Sequence, residues 1–244
     1  FAQAADKPSG KYTRLVFHDE FNGKGLPDTT KWDFEYGRLR NGEKQFYTAD
    51  RIENAYRKGG CLHLVVRNDS ALIDGEVRPI TSASIHTKKT FAMKYGKVEV
   101  RAKLPLCLGT WPAIWMMPVQ NVYGYWPKSG EIDIMEYVGN DANKFNCATH
   151  FLNGDRGGNK VIDNVDDWHI IALEWHEDRL EWYCDGRLFY RTKNPETDWG
   201  DWPFDIPFYF MLNYAYGGGW GGRDGYDVSI LPNEYLIDYV RIYQ

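Results

Sequence analysis

The chain is short of cysteine, basic runs, long apolar stretches and helical periodicity, and each shortage excludes something. Only four cysteines occur in 244 residues: Cys61, Cys107, Cys147 and Cys184. None belongs to a C-x-x-C pair, which argues against structural zinc. Four thiols permit disulfides in three pairings, but a chain this long can bury a large core without them, so buried free thiols are an equal alternative. The formal net charge is -5, with no run of Lys and Arg, so nucleic acid and anionic membrane are poor partners. No apolar stretch approaches the roughly 20 residues of a membrane span. No window of helical length repeats apolar residues at spacings of three and four. Linker-like segments, internal repeats and low-complexity tracts are also missing. A single domain over residues 12–244, preceded by a polar, flexible segment 1–11, is the simplest organisation, and a monomer is expected.

What the chain has in quantity is aromatic residues, with 10 Trp and 17 Tyr. Aromatic rings suit strands, and they also suit a long cleft for sugars, whose C–H faces stack on rings while their hydroxyls seek polar partners. Short alternating runs recur: Leu62 to Val66, Ser84 to Thr87, Lys97 to Lys103, Glu131 to Tyr137, Ile170 to Trp175, Leu180 to Cys184, Phe208 to Tyr214 and Tyr235 to Tyr243. Gly59-Gly60, Asp74-Gly75 and above all Asp185-Gly186 punctuate them as turns. Many short strands with regular turns predict an all-β jelly-roll sandwich of two antiparallel sheets. Near the start, Ala2-Gln3-Ala4 has the small-x-small form of an export-signal cleavage site. It reads either as the remnant of such a signal or as an ordinary chain start.

The run Ser129-Gly130-Glu131-Ile132-Asp133-Ile134-Met135-Glu136-Tyr137 carries the chemistry. On a strand, Glu131 and Asp133 share one face and Ile132 and Ile134 the other. Strict alternation would turn Glu136 away; a one-residue bulge at or beside Met135 would return it. Three carboxyls on one face raise at least one pKa. That is a defect in a structural strand. It is a requirement of glycoside hydrolysis, which needs one ionised carboxylate beside one protonated acid. Retaining enzymes hold the pair roughly 5–5.5 Å apart, a distance two glutamates on one bulged strand can meet. A solvent-facing acidic strand is the alternative.

With its flanks, this segment resembles glycoside hydrolase family 16, the laminarinase and lichenase group. The flanks are Phe17-His18-Asp19-Glu20-Phe21-Asn22-Gly23 with Lys31-Trp32, Tyr95 to Lys103, Gly109 to Met116, and Ile237 to Gln244. The resemblance implies a secreted, periplasmic or cell-surface endo-acting hydrolase of β-1,3 or mixed β-1,3/1,4-glucan that retains configuration and needs no catalytic cofactor. A relative acting on agar or carrageenan, or a lectin-like binding module, are the other readings; the complete carboxylate set argues against the module. The resemblance assigns the nucleophile to Glu131, the acid/base to Glu136 and an auxiliary role to Asp133. For substrate binding the expected residues are Asn41, Glu99, Arg101, Trp111, Trp115, Trp126, His150, Asn213 and Trp220. Glu99 and Arg101 alternate on one strand and so share a face, and Trp220 stands in the run Gly217 to Gly222. Ser84 occupies a place where many laminarinase-type members carry Arg, which leaves room for mixed-linkage substrates. A structural calcium would be held by Glu20, the Gly60 carbonyl and Asp238, hard oxygen donors of the type that suits calcium.

Overall fold

In the computed structural model, which describes residues 8–141 and 143–244, strand follows strand with only a helical turn at Gly218–Gly221 and a 3-10 turn at Val228–Ile230 between them. Gly96–Lys103 and Lys144–Phe151 alternate buried and half-buried residues along their whole length, so each turns one apolar row inward. Asp185 and Gly186 both have positive φ, 50° and 74°. That is the demand of a two-residue type I′ hairpin, and it joins Arg179–Cys184 to Arg187–Lys193.

The strands make two sheets. In the seven-stranded sheet the order is Gly154–Val161, Lys144–Phe151, Glu131–Glu136, Thr110–Pro118, Phe208–Tyr216, Ser84–His86, Asp33–Phe34. The ten-stranded sheet has at its centre Trp168–Trp175, Gly96–Lys103, Asn233–Tyr243 and Cys61–Ile73, side by side. Ile114, Met116, Ile132, Ile134, Phe210 and Leu212 of the first meet Val98, Val100, Leu173, Trp182, Val240 and Ile242 of the second in one core. Each Val, Leu, Ile, Met or Phe among them stabilises the sandwich by about 1.5–3 kcal/mol. The jelly-roll expectation holds. All four cysteines are free thiols, and no described helix is long and apolar enough to cross a membrane.

One expectation needs correction. Glu99 and Arg101 do share a face, but of the wrong sheet. Val98 and Val100 between them fill the core, so Glu99 and Arg101 point outward from the ten-stranded sheet. There Glu99 accepts from Lys97 Nζ at 2.6 Å and from the Tyr239 hydroxyl at 2.9 Å. Arg101 pairs with Asp238 at 2.5 Å and covers the Trp168 ring. Alternation reveals that two residues are neighbours; it does not reveal which sheet they belong to. The start of the chain meets the same face. Residues 1–7 lie outside the described residues, but the Ser9 amide donates to both oxygens of Glu174 at 3.0 and 3.1 Å, and the Tyr12 hydroxyl to the Trp175 carbonyl at 3.0 Å. From Ser9 onward the chain is tied to the outer face of the ten-stranded sheet.

Glu20 and Asp238 belong to that same sheet: Asp238 sits at a register shift within Asn233–Tyr243, and Glu20 follows Leu15–Asp19, which pairs with that strand. Glu20 accepts two hydrogen bonds from Arg241, at 2.9 and 2.7 Å, and Asp238 pairs with Arg101. The donor chemistry fits a hard cation, but both carboxylates have arginine partners here.

Candidate active site

Gly130 starts the carboxylate strand. Its φ is +87°, and a Cβ there would come within 3.0 Å of Phe204 and Pro203, so only glycine fits this close approach. The strand Glu131–Glu136 follows. Against Thr110–Pro118, Ile132 pairs with Met116 and Asp133 with Trp115; the next pairs are Met135 with Ile114 and Glu136 with Ala113. Ile134 is therefore the extra residue. This bulge sends both Ile134 and Met135 into the core, fully buried, and brings Glu136 back to the face of Glu131 and Asp133. All three carboxyls border one groove on the sheet face turned from the core.

Each carboxyl has a defined neighbour. The Trp126 indole N–H donates to Glu131 Oε2. The Trp111 indole donates to Glu136 Oε1 at 3.0 Å. His150 Nε2 lies 3.2 Å from Asp133 Oδ2. Asp133 itself is buried, and beneath it the Trp182 indole of the core donates to its backbone carbonyl at 3.0 Å. Burial pushes the Asp133 carboxyl well above the ordinary range; the charges of Glu131 and Glu136, and a hydrogen bond to Glu131, push the same way. Burial likewise raises Glu136, to about 7. The Trp111 hydrogen bond opposes that rise, while the charges of Glu131 and Glu43 add to it. The site thus holds an acid that keeps its proton near neutrality beside a carboxylate positioned by an indole.

Asn41, Trp111, Trp126, His150 and Trp220 line an open groove of ≈ 620 Å³ around Glu131 and Glu136, within the size range of ligand sites. Trp126 is 60% exposed, so its ring is free to stack. Trp220 stands edge-on to Trp111, with centroids 5.6 Å apart. Its glycine run forms one helical turn, held by the Gly219 amide donating to the Asn41 carbonyl at 2.9 Å. Trp115 and Asn213 also border the groove, but differently from expectation. Trp115 is only 7% exposed and its indole donates to Asn213 Oδ1 at 2.8 Å; Asn213 Nδ2 donates in turn to the Tyr47 hydroxyl at 2.8 Å. Both side chains are committed internally and act as support.

Reading the sequence missed Arg40 and Glu43. The Arg40 guanidinium covers the Trp115 ring at 4.9 Å and pairs with Glu35, to which Ser84 Oγ also donates at 2.6 Å. Glu43 accepts from Gln45 Nε2 at 2.6 Å and from Asn41 Nδ2 at 3.1 Å; burial raises its carboxyl. Glu43, Gln45 and Tyr47 alternate as polar residues on one extended segment, which was the available signal. Among the described residues, Glu131, Asp133 and His150 have ligand atoms close enough to share a metal ion, as do Glu174, His176 and Glu181 beneath the Ser9–Tyr12 tether, and His169, Cys184 and Asp185. Glu181 already pairs with Arg179 and Arg191.

The family model for glycosyl hydrolases family 16 matches residues 42–241. A β-glucanase of Rhodothermus marinus is 43% identical over 94% of this chain and 85% of its own length. A glucan endo-1,3-β-glucosidase of Niallia circulans is 36% identical over 94% of the chain, which spans only 38% of that larger protein. Among solved structures, a variant of a non-specific endo-β-1,3(4)-glucanase superimposes with a TM-score of 0.92 at 35% identity, covering 98% of this chain and 97% of the other. That crystal presents 1,3-β-D-cellobiosyl-glucose at its active site.

Proposed function

This chain belongs to the glycosyl hydrolases of family 16, and from that premise we propose that it cleaves internal bonds of β-1,3-glucan and of mixed β-1,3/1,4-glucan by double displacement, with Glu131 as nucleophile and Glu136 as acid/base. The observation that carries the reading is the Ile134 bulge, which brings two glutamates to one groove while Glu136 is pushed up to about 7.

In the first step a Glu131 oxygen attacks the anomeric carbon. The bond to the departing sugar oxygen breaks, and Glu136 gives that oxygen its proton. In the second, the Glu136 carboxylate takes a proton from water, and the water oxygen displaces Glu131 with net retention. The Trp126 indole aims the nucleophile. Asp133, hydrogen-bonded to Glu131, directs its proton toward that carboxylate and so stabilises it as it leaves the glycosyl-enzyme. Trp126, Trp111 and Trp220 offer ring faces to successive sugars. Arg40 stands where it can donate to sugar hydroxyls near Trp115, a part for which Ser84 is too short. A polymeric substrate cannot enter a cell, so the enzyme works outside the cytoplasm. Calcium, if it binds Glu20, the Gly60 carbonyl and Asp238, is structural and lies on the other sheet.

Azide rescue tests the roles. Glu131→Ala should lose activity and regain it with azide, giving an α-glycosyl azide; Glu136→Ala should give the β-azide. The opposite configurations would overturn the assignment. A product profile on laminarin, lichenan, barley glucan, xyloglucan and agarose tests the substrate.

A further inference from the structure

A second concavity, of ≈ 430 Å³, lies outside the catalytic groove between Tyr95, Glu177 and the segment 194–205. We propose that it is a second saccharide-binding site, which holds a neutral glucan chain and keeps the enzyme on its polymer. The inference rests on the glucan reading above.

Its platform is Trp199. This ring is 40% exposed and lies flat on Tyr123, with centroids 5.2 Å apart and planes 1° from parallel. The Tyr123 hydroxyl donates to both oxygens of Asp205, at 2.8 and 3.0 Å. The slab is therefore held in place before any ligand arrives, so little ordering cost remains at binding. Around it stand Glu177, Glu196, Asp198 and Asp205. Among the described residues the side-chain carboxylates of Glu177 and Glu196 have no hydrogen-bond or ion-pair partner. A flat apolar ring rimmed by unengaged acceptors is what a pyranose requires: C–H bonds for the ring, hydroxyl donors for the carboxylates.

The same lining excludes the main competitors. Four carboxylates and no lining Lys or Arg repel sulfated polysaccharide and nucleic acid. A bound metal is disfavoured, because none of these carboxylates belongs to a cluster with ligand atoms close enough for one ion among the described residues. A basic peptide would match the charge and is the outcome the test must separate.

The site also has a physical link to catalysis. Tyr123 and Trp126 share a loop braced by Ser129, whose Oγ accepts from the Tyr123 amide at 3.0 Å and donates to the Gly124 carbonyl at 2.7 Å. One side of this loop backs the Trp199 slab, and the other places its indole on Glu131. A chain held on the slab is thereby kept beside the groove, which raises its effective concentration there.

The test is native affinity electrophoresis of the whole protein in gels containing laminarin or lichenan, with turnover of a short β-glucan oligosaccharide measured on the same samples. Trp199→Ala should weaken retention on the polymers by about tenfold, the loss of roughly one aromatic stacking contact, while turnover of the short oligosaccharide stays unchanged. Glu196→Ala, which leaves the slab intact, should also weaken retention. Equal retention of wild type and both variants overturns the second site, as does displacement of the wild type by an oligolysine peptide but not by free oligosaccharide. A wild type that cleaves no glucan overturns the catalytic reading instead.

Discussion

The Trp111→Phe substitution isolates what a single hydrogen bond does to the acid. The Trp111 indole donates to Glu136 Oε1 at 3.0 Å and holds the carboxyl below where burial alone would put it. Phenylalanine keeps a ring edge-on to Trp220 and removes only the donor. A hydrogen bond to a charged group is worth about 1.5–3 kcal/mol, and one pKa unit corresponds to about 1.4 kcal/mol. The donor is neutral and the carboxyl borders an open groove, so the lower end applies, about one unit. The sign is fixed by which form the bond favours: it stabilises the ionised carboxylate, so losing it raises the pKa. Glu136 then keeps its proton to higher pH, and the descending limb of kcat/KM, expected near 7 in the wild type, moves up by about one unit. The assay is kcat/KM against pH on a soluble mixed-linkage glucan. Trp126→Phe serves as control, since its indole contacts Glu131, and should leave the descending limb in place. A limb that stays put or moves down in Trp111→Phe would refute the assignment of that limb to Glu136.

Glu43→Gln removes a negative charge that raises Glu136 while keeping an acceptor oxygen for one of its two donors, Gln45 and Asn41. The descending limb should move down by a fraction of a unit, and an upward shift would contradict the geometry. Glu136→Gln should trade activity for stability. The folded carboxyl at about 7 binds its proton more tightly than the ordinary 4.5, so the stability this adds is complete below the unfolded value and is lost as pH rises through 7. Denaturant melts at about pH 5 and pH 8 should show the variant gaining about 2–3 kcal/mol on the wild type between them; a gap that does not widen with pH counts against the raised acid. Millimolar calcium should raise the melting temperature by about 3 °C, with EDTA reversing it. No shift would leave Glu20 and Asp238 as partners of Arg241 and Arg101 alone.

Much of this was legible in the residues. The alternation of Lys97 to Lys103 and the Asp185-Gly186 turn announced strands and a hairpin because side-chain period and positive φ are local properties. The carboxylate run announced a bulge because three acids and three apolar residues cannot otherwise both be accommodated. The structure sharpened this by making Ile134 the extra residue. What failed was non-local. Nothing near Glu99 says which sheet its strand joins. Asn213 looks like a polar residue on offer until Trp115 and Tyr47 are seen to occupy both ends of its amide. Arg40 escaped notice because its place over Trp115 depends on Glu35 and Ser84, which reach it only when the chain has folded.

The position of Asn233–Tyr243 has a consequence for biosynthesis. It pairs with Gly96–Lys103 on one side and Cys61–Ile73 on the other, both made long before it on the ribosome. Until it arrives, two apolar strands have open edges facing one another with nothing between them, the condition that invites aggregation. A nascent chain of this architecture gains little by folding early.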